Sequence, residues 1–65
     1  MNLIEGLQEE MNSSRELLKE YEAIGSSGIF GATFIKNDIA MAERAIAQGD
    51  TIEMLRIYEI LKKHK

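Results

Sequence analysis

The residues best placed to do chemistry lie in one glycine-rich segment, residues 25–36. Glycines recur there at every third position, two serines follow the first of them, and a lysine closes the segment. Glycine lets the backbone approach a ligand, while hydroxyls, helix N-terminal N–H groups and lysine bind phosphate. The pattern predicts a site for a phosphate-containing small molecule, such as a nucleotide or cyclic nucleotide. Its residues would be Ser26, Ser27, Gly28, Gly31 and Lys36.

The same glycines also have a purely structural interpretation, which we favour. Gly25 would end the first helix as a left-handed cap, and Ser26 or Ser27 would cap the second helix. Gly28 and Gly31 would let the two helices cross closely. The segment is not a P-loop, because no Gly-Lys-Ser/Thr follows, and it is not a dinucleotide-binding fingerprint, because no strand precedes it.

Catalytic and metal-binding residues are sparse. The chain has no cysteine and one histidine, His64, so disulfides and the usual zinc sites are excluded. Carboxylate pairs at helical spacing, Glu5 with Glu9 and Glu16 with Glu20, have no nucleophile or base beside them and predict a solvated face. We therefore predict a protein that is not an enzyme, with no cofactor and no metal.

The spacing of apolar residues predicts an all-α fold. A stripe at alternating steps of three and four runs from Ile4 to Tyr21, with Ser14 interrupting it. The first helix is expected either to bend at that serine or to carry its N-terminal eleven residues as an extension that packs on a second chain. The predicted helices span about 3–23, 30–48 and 51–63 in a single domain, residues 1–65.

The clearest local signal is Gly49-Asp50. Gly49 is a typical helix C-terminal residue, and Asp50 with Glu53 forms the start of a capping box. Because only two residues separate them, the second and third helices are predicted to form a tight antiparallel hairpin.

The length and the charge of the chain limit the kinds of partner that it can have. A chain of 65 residues is marginal as an independent core, so we predict a homodimer or higher oligomer; the alternative is an unusually well packed monomer. Residues 1–22 hold six acidic and two basic residues, whereas residues 23–65 hold five and six. That balance argues against DNA as a partner. The tail 62–65 is predicted to provide favourable charge at a helix C-terminus.

No segment is predicted to target or span a membrane. The chain lacks a run of about 18 apolar residues, and residues 1–6 lack the features of a signal peptide. With no cysteine, the expected location is the cytoplasm, here that of a bacterial host.

Several large side chains are candidates for contact with another chain, self or foreign. They are Met11, Leu18, Tyr21, Phe30, Phe34, Arg56 and Tyr58. Asp38 lies at the edge of an apolar stripe and is predicted to be half-buried, with a hydrogen bond to Arg56 or Tyr58.

Five motifs between Tyr21 and Lys62 carry a resemblance to a known family. They read Tyr21-Glu22-x-Ile24-Gly25, Gly28-x-Phe30-Gly31, Ile35-Lys36-x-Asp38-Ile39, Ala42-Glu43-x-Ala45-Ile46-Ala47-x-Gly49-Asp50 and Met54-Leu55-Arg56-x-Tyr58-Glu59-x-Leu61-Lys62. Together they resemble a family of very short proteins of tailed bacteriophages and prophages. Residues 1–20 then correspond to a variable N-terminal helical extension.

What the resemblance implies is a biological setting rather than a chemistry. It implies a compact, often early-expressed phage product, and many such products bind and block a host protein or a host signalling nucleotide, including bacterial defence components. We therefore predict a phage-encoded interaction protein that modulates or inhibits a host factor through the exposed faces of its first two helices. The alternatives are a nucleotide-sequestering protein that uses Gly25–Gly31, and a small subunit of a larger phage assembly.

Overall fold

The computed structural model describes residues 2–63, and within that range the backbone is helical with no strand. The prediction of an all-α chain is confirmed. The elements are α1 (Leu3–Ile24), a 3₁₀ turn (Gly25–Gly28), α2 (Ile29–Gln48) and α3 (Thr51–Lys62).

The first joint differs from the prediction of three separate helices. The 3₁₀ turn Gly25–Gly28 follows α1 directly and leads directly into α2, so the two join as one long helical run, followed by α3. Within this run the helical backbone is broken at Gly25. The run still folds back on itself, since ion pairs join Lys36 to Glu22 and Arg15 to Glu43. The reversal occurs at Gly25, whose φ of +82° is a conformation that suits glycine.

The serines of this turn do not cap α2, which corrects the prediction for Ser26 and Ser27. The N-cap residue of α2 is Gly28, and no side chain accepts a hydrogen bond there. Instead, the Ile29 N–H donates to the Ser26 carbonyl, as expected where a 3₁₀ turn leads directly into an α-helix.

The other helix ends follow local sequence rules. The Glu5 N–H donates to Asn2 Oδ1 at 2.8 Å, and the Glu53 N–H donates to Asp50 Oδ1 at 3.1 Å. Gly49 is left-handed with φ +67°. The predicted boundary at Gly49-Asp50 is therefore confirmed, and α3 folds back along α2 from this point.

All three helices contribute to one core, which includes the first part of α1. Leu7 is completely buried, and Met11 is 2% exposed. The prediction that Met11 contacts a second chain is therefore wrong, because its side chain lies in the core. Ser14 is buried, and α1 continues through it. The cluster comprises Leu7, Met11, Ile35, Ile39, Ala42, Ala45, Met54, Ile57 and Leu61.

The helices are unequal in length, and this divides the molecule into two halves. α3 has 12 residues and spans about 18 Å, whereas α1 and α2 have 22 and 20 and span about 33 and 30 Å. α3 starts beside the start of α1, where Leu3, Ile4, Thr51 and Met54 line a shared groove. It therefore covers only part of the α1–α2 hairpin.

We call residues 3–14 together with 38–62 the closed half, because three helices meet there. Residues 15–37 are the open half, because the two grooves found there are lined by residues of α1, the turn and α2 alone. At its inner end, Leu17, Leu18 and Ile35 still pack with the shared core. Leu7, Met11, Ile57 and Leu61, the largest fully buried side chains, all belong to the closed half.

The C-terminal end of α3 lies at Lys62, one residue before the predicted end, and the Lys62 Nζ lies 5.1 Å from the centre of the Tyr58 ring. His64 and Lys65, part of the predicted charged tail, lie outside the described residues.

Candidate functional site

Two glycines determine how α2 crosses α1 in the open half. A Cβ added to Gly28 would overlap the Tyr21 carbonyl oxygen and would lie 2.9 Å from the carbonyl carbon. A Cβ added to Gly31 would lie 2.8 Å from Cε1 of the Tyr21 ring. Both distances are below any ordinary carbon contact. At Gly28 the Tyr21 backbone would have to move, so this glycine is needed for the packing, whereas at Gly31 the Tyr21 side chain would have to shift. The structural interpretation of the glycine pattern thus accounts for Gly28 and Gly31.

The residues predicted to bind phosphate are not brought together. Gly28 and Lys36 line one groove of about 370 Å³, on whose wall Glu22 also lies. Ser26 and Ser27 are exposed and do not line this groove, and Gly31 lines a different one.

Charge in the first groove also opposes an anion. The Lys36 Nζ lies 3.1 Å from the Glu22 Oε2 in an ion pair, so a carboxylate already occupies the cation's near side. An incoming phosphate would meet that negative charge. A phosphate site in this segment stays a prediction from the sequence.

The surface of the open half is apolar instead. Ile24, Ile29, Phe30 and Phe34 are 59%, 57%, 79% and 67% exposed. Ile29 lines the groove that holds Lys36, whereas Phe34 lines a different groove, so Ile29 faces another side of α2. We call the other three side chains, Ile24, Phe30 and Phe34, the aromatic surface. Together they present on the order of 400 Å² of apolar area, taking roughly 150–250 Å² for a large side chain. The largest apolar patch on a typical monomer is about 300–600 Å² and is often functional.

The aromatic surface borders a groove between α1 and α2. Leu17, Tyr21, Gly31, Phe34 and Ile35 line it, and its volume is about 230 Å³. We call it the aromatic groove. A cavity of about 150 Å³ holds a benzene molecule, so this groove has room for one phenyl ring.

The lack of a side chain on Gly31 keeps the Tyr21 ring accessible in this groove. Phe30 lies one helical turn before Phe34 and protrudes beside the groove. The open half therefore offers a protruding ring and a ring-sized groove side by side.

The predicted contact residues divide between core and surface. Phe30 and Phe34 lie on the aromatic surface and Tyr21 lines the groove. Leu18 and Tyr58 are half-buried against the core, and the other two predicted residues are elsewhere: Met11 in the core and Arg56 on α3, with 54% of its side chain exposed.

Ile24 and Ile29 were not among the contact residues predicted from the sequence. The signal that could have found them is charge: residues 23–35 form a run of 13 residues without a charged side chain, bracketed by Glu22 and Lys36. Such a run suits an interface core, which is depleted of charged residues.

Arg56 is held by a carboxylate on its own helix. Its Nη2 lies 2.8 Å from the Glu53 Oε2, and this hydrogen bond, followed by the charges of Glu53 and Asp38, raises the pKa of the Arg56 guanidinium. A raised pKa keeps the cation protonated throughout the physiological range, so this group is not a pH switch. Asp38 is buried, more deeply than the half-burial that the sequence predicts, and its predicted hydrogen bond to Arg56 or Tyr58 stays a prediction.

Comparison of the chain with protein-family models, with curated proteins and with solved structures finds no match in any of the three. The resemblance to the phage family therefore stays a prediction. Within residues 2–63, no cluster of three or more acidic, histidine or cysteine side chains is arranged to hold a metal ion. In the same range, the longer helices are too polar to cross a bilayer.

Proposed function

We propose that this chain is a non-enzymatic interaction protein, encoded by a phage or prophage, that binds a host protein through the aromatic surface and so modulates or inhibits it. A bacterial anti-phage defence component is the target class that the family resemblance favours. The observation that carries the proposal is the exposure of Ile24, Phe30 and Phe34 on one uncharged segment.

The chemistry of this surface supports binding. Aromatic side chains are enriched at the centres of protein interfaces, and a few of them usually account for most of the binding free energy. An exposed phenylalanine at 79% contributes little to the fold that holds it. Its exposed area is therefore available to stabilise a complex.

The scaffold also supports binding. The closed half contains the largest fully buried side chains, while the aromatic surface lies on the helical backbone of α1 and α2. A surface on helices keeps its shape better than one on a loop, which lowers the entropic cost of binding.

We further propose that the protein acts in the host cytoplasm and self-associates. The sequence alternatives of a nucleotide-sequestering protein and of a subunit in a phage assembly are treated as outcomes of the experiments.

Quantitative capture from a bacterial lysate tests the proposal. Three forms are immobilised at equal density: the unaltered protein, Phe30→Ser/Phe34→Ser, and Ile52→Ser. Ile52 is the matched control because it is 78% exposed but lies in the closed half. We expect a host protein that the unaltered form and Ile52→Ser retain equally, and that the double variant retains at least about tenfold less, equivalent to roughly 1.4 kcal/mol.

The proposal fails if no host protein distinguishes the double variant from the control. Retention of phage structural proteins alone would favour the assembly alternative. Native mass spectrometry of protein purified without denaturant examines the remaining alternative, since a sequestered nucleotide would add its own mass to the chain.

A further inference from the structure

We infer that in the isolated protein a second copy of this chain covers the aromatic surface, giving a two-fold symmetric dimer joined through the two open halves. The inference concerns the surface assigned under the proposed function. It does not depend on the identity of a host target, because it can be tested with the purified chain alone.

The open half is complementary in shape to a second copy of itself. A two-fold interface must present the same patch on both copies, with protrusions that fit into its own depressions. Phe30 protrudes with 79% of its surface exposed, and the aromatic groove beside it has a volume of about 230 Å³. Phe30 of each copy can therefore enter the groove of the other copy, against Tyr21 and Gly31.

A stable dimer interface must also bury enough apolar area. A stable interface buries about 800 Å² on each partner, of which roughly 56–65% is non-polar, or about 450–520 Å². The aromatic surface exposes on the order of 400 Å² of apolar area. One copy therefore provides most of the non-polar share that one side of such an interface requires.

Charge repulsion does not oppose contact between two copies of this surface. Two copies related by a two-fold axis bring identical side chains together near the axis, and like charges there would repel. Residues 23–35 carry no charge. The residues that bracket this run, Glu22 and Lys36, neutralise each other in an ion pair within one copy.

The two halves differ in what covers the α1–α2 hairpin, and the closed half shows the effect of a covering helix. There, α3 packs against the α1–α2 hairpin and buries Ile57 and Leu61 completely. In the open half, no α3 residue lines either groove of the hairpin. A second hairpin packed face to face would give four helices at the dimer centre, so that the partner copy does for the open half what α3 does for the closed half.

Sedimentation equilibrium of the purified protein tests the inference, from about 1 μM to about 1 mM, the range of Kd values for weak to moderate interfaces. The expected result is a reversible increase from 7.4 kDa towards twice that mass. Phe30→Ala is expected to raise the dimer Kd at least about tenfold. Ile52→Ala, at similar exposure in the closed half, is expected to leave it within about twofold.

Amide NMR spectra recorded over the same concentrations locate the interface. Shifts confined to residues 17–37 would support the inference, whereas shifts centred on Ile4, Ile52 and Leu55 would overturn it. A mass of 7.4 kDa at every concentration would also overturn it, as would a dimer indifferent to Phe30→Ala.

Failure of the dimer and failure of the proposed function are distinguishable. A chain that is monomeric by sedimentation but captures a host protein through Phe30 and Phe34 retains the proposed function. A dimer that captures nothing retains only the inference made here. If both hold, target and second copy compete for one surface, and lysate capture weakens as the protein concentration rises above the dimer Kd.

Discussion

The two halves of this molecule are built from the same kinds of residue but use them differently. In the closed half, Leu7, Ile57 and Leu61 are completely buried between three helices. In the open half, Phe30 and Phe34, with larger side chains, are mostly exposed. The difference teaches that burial here follows the length of α3, since α3 has only 12 residues and lines neither groove of the open half.

The comparison also separates two uses of apolar area. Buried area stabilises the fold, and exposed area is available for binding. If this division is right, substitutions in the closed half should change stability, and substitutions of the aromatic surface should change association.

The largest expected effect comes from one isoleucine in each half. Ile57→Ala removes methyl groups from a completely buried site and is expected to lower the free energy of unfolding by roughly 2–5 kcal/mol. Ile29→Ala, the same substitution at 57% exposure, should cost less than about 1 kcal/mol. Urea denaturation at low protein concentration measures both. Equal losses would show that the open half is packed as tightly as the closed half.

The next effect tests the helix crossing inside the open half. Gly28→Ala places a Cβ against the Tyr21 carbonyl and is expected to cost roughly 1–3 kcal/mol, because backbone rather than a flexible side chain must move. Ser27→Ala, in the same turn and exposed, is the control and should stay within about 0.5 kcal/mol. If Gly28→Ala folded with unchanged stability, Gly28 would not be needed for the crossing and the ligand interpretation would gain weight.

The smallest of the three effects concerns the start of α3, which closes one half. Asp50→Ala removes the acceptor for the Glu53 N–H and is expected to cost about 1 kcal/mol. Hydrogen exchange should show faster opening of α3 than of the α1–α2 crossing. Thr51→Ala, next to it and exposed, serves as the control. Uniform acceleration across the molecule would indicate that the two halves open together.

Local features were predictable because they depend on neighbouring residues. Gly49 and Asp50 signalled the end of one helix and the start of the next, and the structure has both. The 3₁₀ turn was not predictable in this way. Ser26 and Ser27 are good capping residues, yet the Ser26 backbone carbonyl accepts the Ile29 N–H instead, because α2 must come close to Tyr21.

The candidate site was only partly predictable. Phe30 and Phe34 stood out as large side chains beside glycines, whereas Met11 was placed at an interface and lies in the core. Periodicity places all three on apolar helix faces and does not say which face another helix will cover.

By itself, the sequence determined the all-helical class, the helix ends near Gly49-Asp50, and the uncharged run that follows Glu22. These follow from propensity, capping and composition, each of which acts within a few residues. The tertiary structure alone decided that α3 accompanies only part of the hairpin, that Gly28 contacts Tyr21, and that Phe30 stays exposed. The physical reason is that burial depends on contacts between residues far apart in the chain, which local rules do not specify.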